Sequence, residues 1–149
     1  MTGRTVLVTG GSGYFGTTVV EQARARGDRV RVFDLNPPAP TEPPDEPVDF
    51  VQGDVRDRDA LRAACEGVDV VLHNVAQVPL ARDRELFYSV NVIGTANVLL
   101  AARDAGVAKV VHTSSSAVFG IPESNPVTEA TPASRAASRT FAVPITLTE

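Results

Sequence analysis

The sequence predicts an α/β fold in which a parallel sheet is doubly wound by helices. Three observations predict it. Short Val-rich runs recur along the chain, segments of helix-forming residues separate them, and the two kinds alternate without a tight hairpin between neighbouring runs. Nearly uninterrupted β-branched runs suit strands buried on both faces, and alternation with helices places such strands side by side in one direction. The expected strands are Thr5 to Thr9, Arg29 to Phe33, Val48 to Gln52, Asp69 to His73 and Ala108 to Thr113. Right-handed crossovers then give the strand order 3-2-1-4-5 with helices on both faces.

Each helical segment has its own signals. Phe15 to Arg26, Asp57 to Cys65 and Asp83 to Ala105 carry helix formers, and Gly27, Gly67 and Gly106 stand where a helix needs a left-handed stop. Asn36 to Pro47, "NPPAPTEPPDEP", holds six of the 11 prolines and can form neither a regular helix nor a central strand. It reads as a surface loop between the second and third strands. Residues 1–131 form one domain on this reading, and residues 132–149 an atypical tail expected to be poorly ordered.

Composition narrows the function. At 149 residues the chain is about one domain, and 43% hydrophobic with 21% charged residues is ordinary for a globular protein. A net charge of -4 gives no basic field for nucleic acid or an anionic membrane. The single cysteine, Cys65, leaves no internal disulfide, and the N-terminus does not resemble a signal peptide. No run of spanning length is expected, and a cytoplasmic location is the default.

The motif "VTGGSGYFG", Val8 to Gly16, falls between the first strand and the first helix. Gly11 to Gly16 satisfies G-x-G-x-x-G, and Gly10, Gly13 and Gly16 form an overlapping spacing. Glycines permit a tight turn and close approach of a pyrophosphate, while the helix start offers free N–H groups to the anion. Gly10, Gly13, Tyr14, Phe15 and Gly16 are therefore candidate dinucleotide contacts. Asp34 ends the second strand 18 residues after Gly16, where an acid binds the adenosine ribose hydroxyls and repels a 2'-phosphate. NAD is favoured over NADP on that ground.

Further candidates lie at the later strand ends. In "QGDVRD", Gln52 to Asp57, Asp54 can accept from the adenine amino group and Val55 can serve the ring through its N–H. Asp57 either joins them or caps the following helix. In "HNVAQVP", Asn74, Val75 and Ala76 sit where a ligand crossing the sheet would pass. No metal is expected, because the spacings among Cys65, His73 and His112 match no zinc or iron pattern.

Together with "NVIGTANVL" (Asn91 to Leu99) and "TSSSAVFG" (Thr113 to Gly120), these residues resemble the extended short-chain dehydrogenase/reductase family, with its Rossmann-type domain. NAD-dependent nucleotide-sugar epimerases and dehydratases are the nearest likeness, from Arg4 to about Thr131. The resemblance implies NAD as cofactor, a nucleotide-sugar substrate in the full-length family, and room for a homodimer. It also implies that Ser115, four residues before Phe119, contacts a substrate hydroxyl, where the family aromatic is usually tyrosine. The Tyr-x-x-x-Lys pair that would move the proton has no counterpart: Tyr14 and Tyr88 lack a lysine four residues on, and Lys109 precedes the serine. From Pro132 the tail departs from the family pattern, which reads as a frame change, a truncation or a degenerate copy. The implied activity is therefore that of a cofactor-binding portion; the alternative is a stand-alone dinucleotide-binding or regulatory module. His112, three residues before Ser115 on the fifth strand, is expected to face away from it.

Overall fold

The computed structural model describes residues 3–39, 48–77, 83–121 and 126–132. Within them a five-stranded sheet runs in the order β3-β2-β1-β4-β5, with every neighbouring pair parallel. The strands are β1 (Thr5–Thr9), β2 (Arg29–Asp34), β3 (Asp49–Gln52), β4 (Val70–His73) and β5 (Lys109–His112). The parallel register and order are those that the alternation predicts. The Pro-rich segment falls mostly, and the tail from residue 133 wholly, outside the described residues.

Strand pleating divides the core into two layers. On one face Val6, Val8, Val30 and Val32 meet Val20 and Ala23 of helix α1 (Tyr14–Ala25). On the other, Leu7, Phe33 and Val71 meet Leu61, Ala64 and Cys65 of α2 (Arg58–Cys65), and Val98, Ala101 and Ala102 of α4 (Thr95–Asp104). Burial pushes the Cys65 thiol up to about 11, so it behaves as a small apolar side chain. Gly27, Gly67 and Gly106 follow the helices with φ of 82°, 69° and 72°, the left-handed stops expected of them.

The third helical segment is not one regular helix. It comprises α3 (Arg84–Tyr88), a π-helical turn (Ser89–Gly94) and α4. The run Arg84–Asp104, 21 residues with mean hydropathy 1.3, is by length and composition long enough to cross a membrane, against the sequence expectation. Its apolar residues are here partly used, since α4 packs on α2 and on β4. At the sheet's end β5 is thinly covered: Val111 is 44% exposed, and its β4 partner Leu72 is only half-buried.

Candidate functional site

All five strands point the same way, so their carboxyl ends Thr9, Asp34, Gln52, His73 and His112 lie along one edge of the sheet. Two adjoining cavities open there. The first, about 350 Å³, is lined by the glycine turn, Asp34, the 53–56 turn and Asn74 to Gln77. The second, about 340 Å³, is lined by Ser115, His112, Thr95 and Asn91. They share Val75, Ala76 and Gln77 as a common rim.

The glycine turn leaves β1 through Gly10, whose φ of 73° suits a residue without Cβ. Its N–H donates to the Phe33 carbonyl at 2.9 Å, and its carbonyl accepts from Gly13 N–H at 3.2 Å. A Cβ on Gly16 would lie 1.9 Å from the Gly10 carbonyl oxygen, so only glycine lets α1 start this close to the turn. Gly13 caps α1 without a side-chain hydrogen bond, which leaves the helix's first N–H groups and its positive dipole end facing the cavity. Tyr14 is fully exposed and Phe15 more than half exposed, neither of them lining the cavity.

Asp34 is anchored at this turn. Its Oδ2 accepts from Ser12 N–H at 3.1 Å and its Oδ1 from Asn36 N–H at 3.1 Å, while Gly53 N–H donates to its carbonyl at 3.0 Å. The carboxylate is thus held by backbone donors on the cavity wall. Asp54 also lines the cavity, but the adjacent Arg56 grips it through its guanidinium and its N–H. That hydrogen-bonded guanidinium holds the Asp54 carboxyl below the usual carboxylate range, against a smaller opposing effect of burial. Asp57 takes the capping role: its Oδ1 accepts from Asp59 N–H and Ala60 N–H, each at 3.0 Å. Val55 is buried, with its carbonyl accepting from Asn97 Nδ2 at 3.2 Å.

At the end of β4, His73 is fully buried. Thr9 Oγ1 lies 2.6 Å from its Nδ1 and Thr95 Oγ1 lies 3.0 Å from its Nε2. Its ring stacks on that of His112 with centroids 5.0 Å apart. Burial, and after it the neighbouring His112, push the His73 pKa down to about 3, so the ring is neutral. The His112 pKa is also lowered by burial, with a hydrogen bond to the His73 backbone opposing. Asn74 Oδ1 accepts from Thr113 Oγ1 at 2.6 Å. Its buried Nδ2 has no hydrogen-bond partner among the described residues.

Ser115 follows β5 with an extended backbone, and its Oγ accepts from Ala117 N–H at 3.2 Å, starting a 3-10 turn over Ser116–Phe119. Here the alternation argument about His112 is corrected: His112 and Ser115 line the same cavity. The strand ends at His112, so the two-residue period does not continue to position 115.

Two groups were not found from sequence as parts of this wall. Asn91 in the π-helical turn clamps the backbone of Gln77, accepting from its N–H at 2.7 Å and donating to its carbonyl at 2.9 Å. The extra residue in that turn carries Asn91 to the loop after β4, a displacement a 3.6-residue pattern does not foresee. Arg56 is the second; its signal was the Asp-x-Arg spacing in the turn itself.

The glycine cradle that no Cβ could enter, the free helix start, the anchored carboxylate and the orphaned amide of Asn74 together fit a dinucleotide. Fold and site define a nucleotide-binding domain of the doubly wound class. The NAD dependent epimerase/dehydratase family model matches residues 6–143, and the chain belongs to that family. The match runs past Thr131, further than the sequence motifs reach.

Among relatives, the human sterol-4-alpha-carboxylate 3-dehydrogenase, decarboxylating, is 44% identical over 113 residues, 75% of this chain and 29% of that protein. Among solved structures, a short-chain dehydrogenase/reductase superfamily protein of Agrobacterium tumefaciens with bound NAD has a TM-score of 0.79 and 38% identity, covering 91% of this chain and 42% of its own. The Thermus thermophilus UDP-glucose 4-epimerase in complex with NAD has a TM-score of 0.77 and 34% identity, covering 91% and 47%. The chain spans about a third of the length of the first curated relatives, 32% and 29%.

Proposed function

We propose that this chain is the NAD-binding portion of an enzyme that interconverts a hydroxyl-bearing carbon and its ketone, with NAD taken in preference to NADP. The observation that carries the proposal is Asp34: its carboxylate is fixed on the cavity wall by Ser12 N–H and Asn36 N–H, beside the glycine turn. There it would accept from both ribose hydroxyls, and a 2'-phosphate would meet a fixed negative charge. Bound NAD supplies a hydride acceptor and donor. The α1 start and glycine turn would hold its pyrophosphate, and Asn74 to Ala76 would wall the passage to the second cavity. In that cavity the Ser115 hydroxyl would hold the substrate oxygen.

The substrate reading is a nucleotide sugar, supported by the likeness to the UDP-glucose 4-epimerase. The higher identity to a sterol dehydrogenase favours a second reading, a sterol alcohol, through the same chemistry at carbon. Proton transfer is not assigned to this chain, because no tyrosine in it has a lysine four residues on. That absence supports the alternative reading, a catalytically incomplete stand-alone dinucleotide-binding or regulatory module. A cytoplasmic location, a homodimeric assembly and the lack of nucleic-acid or membrane partners belong to the same proposal; the net charge of -4, which gives no basic field for a polyanion, supports the lack of a nucleic-acid partner.

Calorimetric titration with NAD and NADP tests the cofactor assignment. NAD should bind at least tenfold tighter, and Asp34→Ala should weaken NAD while bringing the two together. Equal affinities in the unaltered chain, or an Asp34→Ala variant that binds NAD as before, would reject it.

A further inference from the structure

We propose that His112 is the hydrogen-bond acceptor of the second cavity, and that with Ser115 as donor it selects a secondary alcohol over the ketone of the same carbon. The inference rests on the alcohol and ketone reading above and goes beyond it to the residue that tells the two apart.

His73 and His112 are register partners at the carboxyl ends of β4 and β5, and their rings stack with centroids 5.0 Å apart and planes inclined by 24°. The two rings are not equivalent. Both nitrogens of His73 are taken by the hydroxyls of Thr9 and Thr95, whereas His112 is solvent-accessible and lines the second cavity. One ring N–H of His112 is drawn by the His73 backbone carbonyl. A neutral imidazole that donates through one nitrogen keeps a bare lone pair on the other. That nitrogen has no partner among the described residues.

Ser115 is committed in the opposite sense. Its Oγ accepts from Ala117 N–H at 3.2 Å, which leaves its O–H to donate. Other polar groups of this wall are already engaged: Thr95 by His73, Thr113 by Asn74, and the Asn91 amide by the Gln77 backbone. An alcohol oxygen can accept from Ser115 and give its proton to a hydrogen bond with His112. A ketone oxygen has no proton to give, and it meets the bare nitrogen as lone pair against lone pair. Protonation of His112 turns the acceptor into a second donor and reverses the preference. Among the described residues no other group lining the cavity titrates; β4, the strand packed on β5, carries only His73, and Lys109 lies at the far end of β5.

The test uses the NAD-saturated chain with cyclohexanol and cyclohexanone as probes, their dissociation constants read by NMR. The chain has two histidines, so nitrogen labelling of histidine shows two rings, and His112→Phe identifies them. At neutral pH cyclohexanol should bind about fivefold more tightly than cyclohexanone, the size of one neutral hydrogen bond, and should shift the bare nitrogen of the His112 ring alone. His112→Phe, which keeps a stacked ring without nitrogens, should bring the two probes together, whereas Ser115→Ala should weaken both. In the unaltered chain, acidification through the titration of the His112 ring should strengthen the ketone and weaken the alcohol, a comparison that needs no variant. Melting curves control for folding. Equal affinities for the two probes at neutral pH, a His112→Phe variant that keeps the preference, or no saturable binding of either probe would overturn the inference. Absence of saturable NAD binding by calorimetry would overturn the NAD-binding reading itself, a separate result, and the probe comparison then stands on the cofactor-free chain.

Discussion

His73 shows how much one side chain's surroundings decide. Between Thr9 and Thr95 it has a hydroxyl at each ring nitrogen, and a neutral imidazole satisfies this arrangement with one donor and one acceptor. Its pKa falls from 6.5 to about 3 on folding, chiefly through burial. In this window the unfolded chain binds the proton and the native chain does not, so stability is full above about pH 6.5 and declines as pH falls towards 3. The slope is at most about 1.4 kcal/mol per pH unit from this group. Urea unfolding at pH 7, 6 and 5 should show the decline, and His73→Asn should flatten it. A slope unchanged in the variant would mean that other groups carry the acid sensitivity.

At the scale of elements, the start of α2 separates two roles that spacing alone leaves open. Asp57 could have faced a bound adenine, yet its Oδ1 takes the N–H groups of Asp59 and Ala60, two of the donors a helix start leaves unpaired. Asp57→Ala should therefore cost about 1 kcal/mol, some 2–4 °C in melting temperature for a chain of this size, and leave NAD affinity as it was. An affinity loss larger than threefold without a melting change would return Asp57 to the binding wall. The helix boundaries were legible for the same reason: capping residues and glycine stops act within one turn of themselves. The π-helical turn was not legible, because the clamp of Asn91 on Gln77 joins two segments 14 residues apart.

For the whole molecule, the parallel sheet gathers every functional candidate on one edge but leaves its last strand thinly covered, with Val111 44% exposed. Ser115 stands in the second cavity beside His112 and Thr95, without a tyrosine or lysine among the lining residues. General acid-base catalysis contributes on the order of 100- to 10,000-fold, and a serine hydroxyl is too weak an acid to replace it. The 149-residue chain should accordingly bind NAD yet show no turnover of UDP-, GDP- or dTDP-sugars or of sterol alcohols. Cofactor absorbance and product analysis check this. Turnover that disappears in Ser115→Ala would reveal a proton acceptor in this cavity, and His112 would be the first residue to vary.

Local order was the sequence's own doing: strand and helix alternation, glycine stops, the glycine turn and the acid at the end of β2 each depend on residues within a few positions of one another. Those short-range patterns were enough to predict the sheet order, because crossover rules leave few topologies for such an alternation. Tertiary structure alone decided which side chains share a wall. Asp54 is paired with Arg56, Asn74 is held by Thr113, and His112 turns out beside Ser115, since each depends on where a chain ends its strand and which neighbour reaches it first. Hydrogen bonds between distant segments follow geometry that no local spacing carries, and that is why the cradle was readable in advance while its electrostatic wiring was not.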